Sequence, residues 1–444
     1  MNQISSFALK DICKLIIDCE HNTAPIQPEG YPSIRTPNIG RGRLILEGVN
    51  RVSEETYKRW TQRAIPRVDD LILAREAPIG NVAIIPKNLR VCLGQRTVLI
   101  RPDKSKVDPN YLVYLLLGDE VQGRILSFSN GATVHHLNMA DIRNLRLPPL
   151  PPLPIQHKIA SILSDYDDLI ENNTRHIAIL EELAQSLYRE WFVHFRFPGH
   201  EKKRLVESEL GLIPKGWEVV RFTDMADILS GGTPRTTISE YWNGPIPFFT
   251  PRDAPSSFYV TETEKSITQI GLRACNSKLY PKNTVFITAR GTVGKVVLSA
   301  VDMAMNQSCY ALQGLDGIDQ FTIFLSISNC IDQLKQNAHG AVFDTIIVDT
   351  FRMLQVVKPP LALTNAFRSL VSPVFELVLN LLNKNTNLRQ TRDLLLPKLI
   401  SGEVDVEGLD IHIEGGTYES NCNKLLEIPS GNEAVHYSDL SAHV

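Results

Sequence analysis

Residues 155–195 read IQHKIASILSDYDDLIENNTRHIAILEELAQSLYREWFVHF, a run without proline or glycine that stops only at Pro198 and Gly199. Proline lacks an N–H and clashes with the preceding turn, and glycine costs backbone entropy, so a stretch of about 40 residues free of both predicts one long helix. Ile159, Ile162, Tyr166, Leu169, Asn173, His176, Leu180, Leu183 and Leu187 recur in steps of three and four, the spacing of a heptad seam. Such a helix would span roughly 60 Å at 1.5 Å per residue, and with one apolar stripe it cannot stand alone in water.

A second stripe lies downstream. In FRSLVSPVFELVLNLLNKNTNLRQTRDLLLPKLI (367–400), Phe367, Leu370, Val374, Leu377, Leu381, Leu388, Leu395 and Leu399 trace an apolar face that ends before Gly402. Asn385-Thr386 in this stretch matches Asn173-Thr174 in the first. Pairing the two helices antiparallel would bury both stripes in a coiled coil with pseudo-two-fold symmetry. Asn173 and His176 would then be satisfied polar groups that fix the register. Pro373 predicts a bend or a later start of the second helix.

The duplication extends beyond the helices. LILAREAPIGNVAIIP (71–86), CLGQRTVLIRPD (92–103) and NGATVHHLNMADIRNLRLPPLPPL (130–153) are echoed in the same order by VFITARGTVGKVVL (285–298), MNQSCYAL (305–312) and HGAVFDTIIVDTFRMLQVVKPPL (339–361). Gly80 pairs with Gly294, Gln95 with Gln307 and Gly131 with Gly340, an offset of about 210 residues and far too long for a solenoid repeat. Within each copy, short β-rich runs alternate with Gly/Pro/Asn turns and helical stretches such as 111–126, and each closes on a proline-rich stop. The expected fold is therefore α/β, a mixed α+β domain in tandem duplication, with the copies separated by two long antiparallel helices. The expected boundaries are domains at 1–152 and 214–361, helices at 153–197 and 362–401, a linker at 198–213 and a poorly ordered acidic tail at 402–444.

Composition narrows the function. With 444 residues, 43% hydrophobic and 21% charged, the chain has globular values and room for more than one core. Lys10, Asp11, Lys14 and Asp18 interrupt the first apolar stretch, and no uninterrupted run of membrane-spanning length follows, so a cytoplasmic protein with no membrane partner is expected. Cys13, Cys19, Cys92, Cys275, Cys309, Cys330 and Cys422 are scattered without zinc-type spacing and read as reduced thiols. The net charge of −3 hides an uneven distribution. Residues 1–150 carry 20 Lys/Arg against 15 Asp/Glu, whereas 401–444 carry 1 against 9. A mildly basic body permits nucleic-acid binding without requiring it.

Enzymatic equipment is not evident. GTVGKVV (291–297) has the wrong spacing for a P-loop and reads as a turn between strands, and Pro102-Asp103 lacks the partners of a nuclease motif. His135-His136 on an extended segment would face opposite sides, with no third metal ligand in view. No catalytic, cofactor-binding or metal residue is assigned, and a non-catalytic protein is expected.

At this point the residues resemble a family. The 155–195 stretch is similar to the central conserved region of type I restriction-modification specificity subunits, in particular the IC-like group. The match runs through Ile155-Gln156 (without the preceding acidic residue), Asp167, Asp168, Ile170, Glu171 and Asn173, and Trp191-Phe192. The 71–103 segments look like one target-recognition-domain subtype, and IPKGWEVVRF with SGGTPRTTISEYWNGPIPFFTPRD (230–253) looks like another. LLLPKLISGEVDV resembles the end of the distal conserved region. The resemblance covers roughly 7–406, and the second helix departs most, through Pro373 and the missing Glu-Gln start. It implies that each domain reads half of a bipartite, asymmetric double-stranded DNA site. The helix pair would set the spacer and dock two methyltransferase subunits bringing S-adenosylmethionine, and restriction subunits would bring ATP, Mg2+ and cleavage. A recognition subunit of a type IIB-like or stand-alone methylation system, or a coiled-coil adaptor without DNA binding, remains an alternative.

Base reading needs donors and acceptors on loops, with further cations on phosphates. The loop candidates are Arg35, Asn38, Arg41 and Arg43 in the first copy, and Thr233, Arg235, Tyr241, Trp242 and Arg252 in the second. Arg75, Arg290 and Lys295, beside the shared glycine turns, are expected to hold phosphates or to form structural ion pairs.

Overall fold

The computed structural model describes residues 7–128, 136–338 and 345–409. It divides into two compact units, residues 1–164 with 396–444, and residues 165–395. The tail beyond 409, His135, Gly131 and Gly340 lie outside the described residues.

In unit 1, LILA, VAI and TVLIRP are almost wholly buried, so both faces of their strands are covered and no apolar-polar alternation is needed. They form an antiparallel sheet in the order Cys13–Asp18, Thr97–Pro102, Leu71–Ala74, Val82–Ile84. A second sheet sets Tyr31–Ile34 between Arg51–Val52 and Cys92–Leu93, the latter pair parallel. The 111–126 stretch, expected as one helix, is two, Pro109–Leu117 and Asp119–Ser127, divided at Gly118. The first starts where the Asp108 carboxylate accepts from Tyr111 N at 2.8 Å.

Unit 2 repeats the plan. Ala226–Ser230, Cys309–Gly314, Val285–Thr288 and Val296–Ser299 are neighbours in that order, with Tyr259–Val260 added in parallel. The second sheet again carries a parallel pair, Trp242–Phe249 beside Ala304–Met305. Helices Gln320–Asn329 and Ile331–Ala338 follow, the first capped by Asp319.

The shared turns match bond for bond. Gly80 N donates to Ala74 O at 3.0 Å and Gly294 N to Thr288 O at 2.8 Å. Both glycines have positive φ, 84° and 81°. A Cβ there would also meet the following helix, at Gln122 Oε1 in unit 1 and Lys335 Cε in unit 2. Only glycine takes this backbone without strain.

The central helix spans Leu153–Tyr188 and ends earlier than 197 because residues Arg189–Val193 form a wider π-type turn. That turn delivers Trp191 and Phe192 into an aromatic cluster, with Phe192 4.8 Å from Phe367 and 6.1 Å from Trp217. The expected linker is partly structured, since Leu205–Ser208 pairs with Gly211–Pro214. The distal helix, Leu361–Ser401, runs through Pro373 without interruption. Phe367, Val371, Phe375 and Val378 are fully buried on either side of the proline, and the burial of several such side chains offsets a penalty of about 3 kcal/mol. With a mean hydropathy of 1.2 over its most apolar window, this helix is long and apolar enough, by length and composition alone, to cross a membrane. Its buried face belongs to the unit 2 core, where Phe375 stacks on Phe321 at 4.3 Å.

Within unit 2 the helices run antiparallel, since Asp167 meets Arg392, Asn173 meets Asn385 and Tyr188 meets Phe367. Asn173 Nδ2 donates to Asn385 Oδ1 at 2.8 Å, and Asn385 Nδ2 reaches Ile170 O at 3.4 Å. The seam differs in phase from the heptad expectation. Ile159, Asn173, Phe367 and Leu399 are buried as expected, and Leu180, Leu187, Val374 and Leu381 pack on the core. Ile162, Tyr166, Leu388 and Leu395 are half-buried. Leu169, Leu183, Leu370 and Leu377 are instead 44–46% exposed, and His176 is exposed. Their places go to Ala160, Leu163, Asp167, Ile177 and Ala184. Asp167 can be buried because Arg392 pairs with it, an option that apolar spacing does not encode. In unit 1, the Lys158 ammonium donates to the carbonyls of Val406, Glu407 and Leu409, fastening the end of the described chain to the start of the central helix.

Candidate nucleic-acid interface

In each unit, the turn after the parallel strand and the turn after its neighbour come together at one edge. In unit 1 these are Arg35–Asn38 and Gly94–Arg96, and Arg35, Asn50 and Gln95 line a shallow depression between them. Gly94 has to be glycine, because a Cβ would stand 2.5 Å from Arg35 Cγ. Gln95 Nε2 donates to His21 O at 2.8 Å, tying this turn to the loop after the first strand of the main sheet.

Not all the candidates of unit 1 gather here. Asn38 is consumed by its own turn, its Oδ1 accepting from Arg35 N and its Nδ2 donating to Ile45 O. Arg41 is exposed but bonds Leu117 O at 3.3 Å, away from Arg35, and Arg43 is half-buried. Arg75 is internal, 6% exposed, with Nη1 2.6–2.7 Å from both Asp18 carboxylate oxygens and Nε on Leu137 O. Its Nη2 donates to His136 Nε2, which leaves His136 Nδ1–H to donate to Glu76. Arg96 closes the network on the other Glu76 oxygen at 3.0 Å. Arg75 is thus a structural ion pair and no part of a reading surface.

Unit 2 opens at the matching place into a cleft of about 560 Å³, lined by the Thr250–Arg252 and Arg290–Thr292 turns with Glu264, Lys265, Asn306 and Ser308. Arg252, Lys265 and Arg290 bring three positive charges against Glu264. The nearby Asp253 carboxylate is occupied by Thr250 N, Thr250 Oγ1 and Glu264 N, at 2.7–2.8 Å. Arg290 and Arg252 are exposed, the setting in which cations attract phosphate. Lys295 is exposed on the same glycine turn, its backbone N bonded to Thr288 Oγ1.

The remaining candidates divide. Thr233 Oγ1 hydrogen-bonds Gln307 beside the cleft. Trp242 packs edge-on to Phe248 at 5.5 Å, with Nε1 donating to Arg235 O, so it serves the core more than a surface. Tyr241 is half-buried and Arg235 is exposed. Gln95 lines the unit 1 depression and Lys265 and Asn306 the unit 2 cleft, with Gln307 beside it; none of the four was among the sequence candidates, although the GQ and NQ dipeptides marked the two glutamines as a repeated pair. The six described cysteines are free thiols, and burial pushes Cys13 up to about 12 and Cys330 to about 11.

A family model described as type I restriction modification DNA specificity domain matches residues 1–182 and again 214–364. The chain is 28% identical over 370 residues to the specificity subunit of type I restriction enzyme MjaIX from Methanocaldococcus jannaschii, covering 82% of this chain and 84% of that protein. It is 23% identical over 405 residues to the HindI specificity subunit of Haemophilus influenzae, covering 77% and 88%. The S subunit of a type I restriction-modification system from M. genitalium shares the fold, with a TM-score of 0.57 at 16% identity over 90% of this chain and 97% of that one.

Proposed function

Because this chain belongs to the type I restriction-modification DNA specificity family, we propose that unit 1 reads one half and unit 2 the other half of a two-part double-stranded DNA sequence. The observation that carries this reading is the duplicated edge, built on the same bond set in both units but lined by different side chains, so the two halves differ and the site is not a palindrome. The central and distal helices each run from one unit into the other. They set the number of base pairs left unread between the halves.

The outward residues of these helices support a docking role. Leu169, Ile179 and Leu183 on the central helix, and Leu370, Leu377 and Leu394 on the distal one, are exposed where the heptad reading put several of them inside. They receive two methyltransferase subunits, which supply S-adenosylmethionine. Restriction subunits supply ATP hydrolysis, Mg2+ and cleavage. This chain selects the site without catalysis, in the cytoplasm.

The test is to insert one heptad into each helix, beside Asn173 and beside Asn385, keeping the seam in phase. Seven residues add about 10 Å, an upper limit of roughly three base pairs. Selection from DNA with randomised spacers, by the full chain with its methyltransferase, is expected to return both original halves with a spacer longer by one to three pairs. Some affinity is lost because each added pair also rotates the far half by roughly 35°. An unchanged spacer in an active variant refutes the spacing role, and changed halves show that the helices read bases.

A further inference from the structure

We propose that Gln95 and Gln307 are a duplicated pair of base-reading side chains, each taking the major-groove edge of an adenine within the half-sequence of its own unit. The proposal rests on the division of reading between the units and names the atoms that perform it.

Three observations converge on these residues. The first is position. Both glutamines sit on the turn after the short parallel strand, and that turn is held by the same backbone bond in each unit, Arg75 N to Arg96 O at 2.9 Å and Ala289 N to Ser308 O at 2.8 Å. The second is restraint. Gln95 Nε2 is held by His21 O at 2.8 Å and the Gln307 amide by the Thr233 hydroxyl, in each case from the loop that follows the first strand of the main sheet. In unit 2 that loop lies so close to the turn that a Cβ on Gly231 would stand 2.2 Å from Asn306 O.

The third is charge. Gln95 shares its depression with Arg35, and Gln307 lies between Asn306 and Ser308, which line the cleft with Arg252 and Arg290. Those arginines are placed for phosphates, which set position and carry no sequence information.

The chemistry follows from the amide. Its nitrogen carries two hydrogens and its oxygen two lone pairs. For Gln95, one N–H on His21 leaves a second N–H and the carbonyl oxygen, a donor beside an acceptor. Adenine presents the complement, the N7 acceptor beside the N6 donor. A side chain already held at one end loses less freedom on binding than a free surface glutamine.

The experiment is base-preference selection from a randomised DNA library, scored position by position, with the full chain assembled with its methyltransferase subunits. Gln307→Ala is expected to relax one A·T position, by about tenfold to a hundredfold, in the half read by unit 2 and nowhere else. Gln95→Ala is expected to do the same in the half read by unit 1. Gln307→Glu keeps the length and the Thr233 hydrogen bond, so it serves even where the alanine variant misfolds. It is expected to move that position towards C·G, because a carboxylate accepts from cytosine N4 and cannot donate. A uniform loss of affinity, the behaviour of a mere tie or a phosphate contact, overturns the proposal, and so does an unmoved profile. A wild-type complex that selects no two-part sequence overturns the division of reading as well, whereas a two-part wild-type profile with unmoved variants overturns the glutamines alone.

Discussion

The turn after Ala74 in unit 1 and the turn after Thr288 in unit 2 are closed by the same backbone hydrogen bonds and carry opposite surfaces. The glycine bonds place Arg75 opposite Ala289 and Glu76 opposite Arg290, although matching the letters by eye sets arginine on arginine. Arg75 is buried on Asp18, and Glu76 is held between His136 and Arg96, so the unit 1 turn is closed by an ion network. In unit 2 the inner position is the buried Ala289, and the outer one is an exposed Arg290 on an open, positive cleft. The same fold thus tolerates a charge reversal at its edge, because the turn is specified by glycine and backbone bonds and leaves the outer side chain free to vary.

The largest effect that tests this contrast is expected from Arg75→Ala. It takes the charged partner from the Asp18 carboxylate, whose side chain is 16% exposed and which keeps Cys19 N and His21 Nε2 near it, and it frees Leu137 O. The loss is therefore expected to approach the lower end of the range for breaking a buried pair, about 3 kcal/mol. Hydrogen exchange over residues 71–103 is expected to speed up while residues 285–312 are unaffected. A loss below about 1 kcal/mol would mean that the network behaves as a surface ion pair and that the two turns differ less than their burial implies.

A smaller effect is expected from Gly80→Ala and Gly294→Ala. Their φ values of 84° and 81° impose the same left-handed strain of about 1–2 kcal/mol. The Cβ in unit 2 meets Lys335 Cε, near the end of a flexible side chain, whereas in unit 1 it meets Gln122 Oε1, whose amide is held by Gly80 O and Leu116 O. Gly80→Ala is therefore expected to lose more, by the worth of one hydrogen bond, about 0.5–1.5 kcal/mol. Chemical denaturation of the two variants sharpens the comparison: a larger loss for Gly294→Ala would show that the turns do not share their backbone energetics.

The smallest effect on stability, within about 0.5 kcal/mol, is expected from Arg290→Ala, because the side chain is exposed. Its effect falls on DNA. The slope of log affinity against log salt is expected to drop by about one, with every base preference retained. A lost base preference would make Arg290 a reader and move it from phosphate to groove floor.

The internal duplication, the two long helices and the positions of the glycine turns were legible in the letters, because each depends on local rules. Apolar runs without proline or glycine make helices, and a turn with positive φ demands glycine, wherever the segment sits in the fold. Of the two expectations at Pro373, a bend or a later start, the later start is overturned, because tertiary burial of Phe367 and Phe375 carries the helix through the proline. Local reading also misplaced Asn38, whose amide reads as available until its turn uses both ends.

What the tertiary structure alone decided is which polar groups find partners, since partners come from far along the chain. Asp167 enters the seam because Arg392 lies opposite, and Leu169 and Leu183 turn outward as the seam shifts to Ile177 and Ala184. Arg75 is withdrawn from the surface by Asp18, 57 residues away. Gln95 and Gln307, visible in the sequence only as matched letters, acquire a direction because His21 and Thr233 are brought beside them. A buried charge or amide is stable only where its complement has been placed, and that placement depends on the packed fold, not on neighbours in sequence.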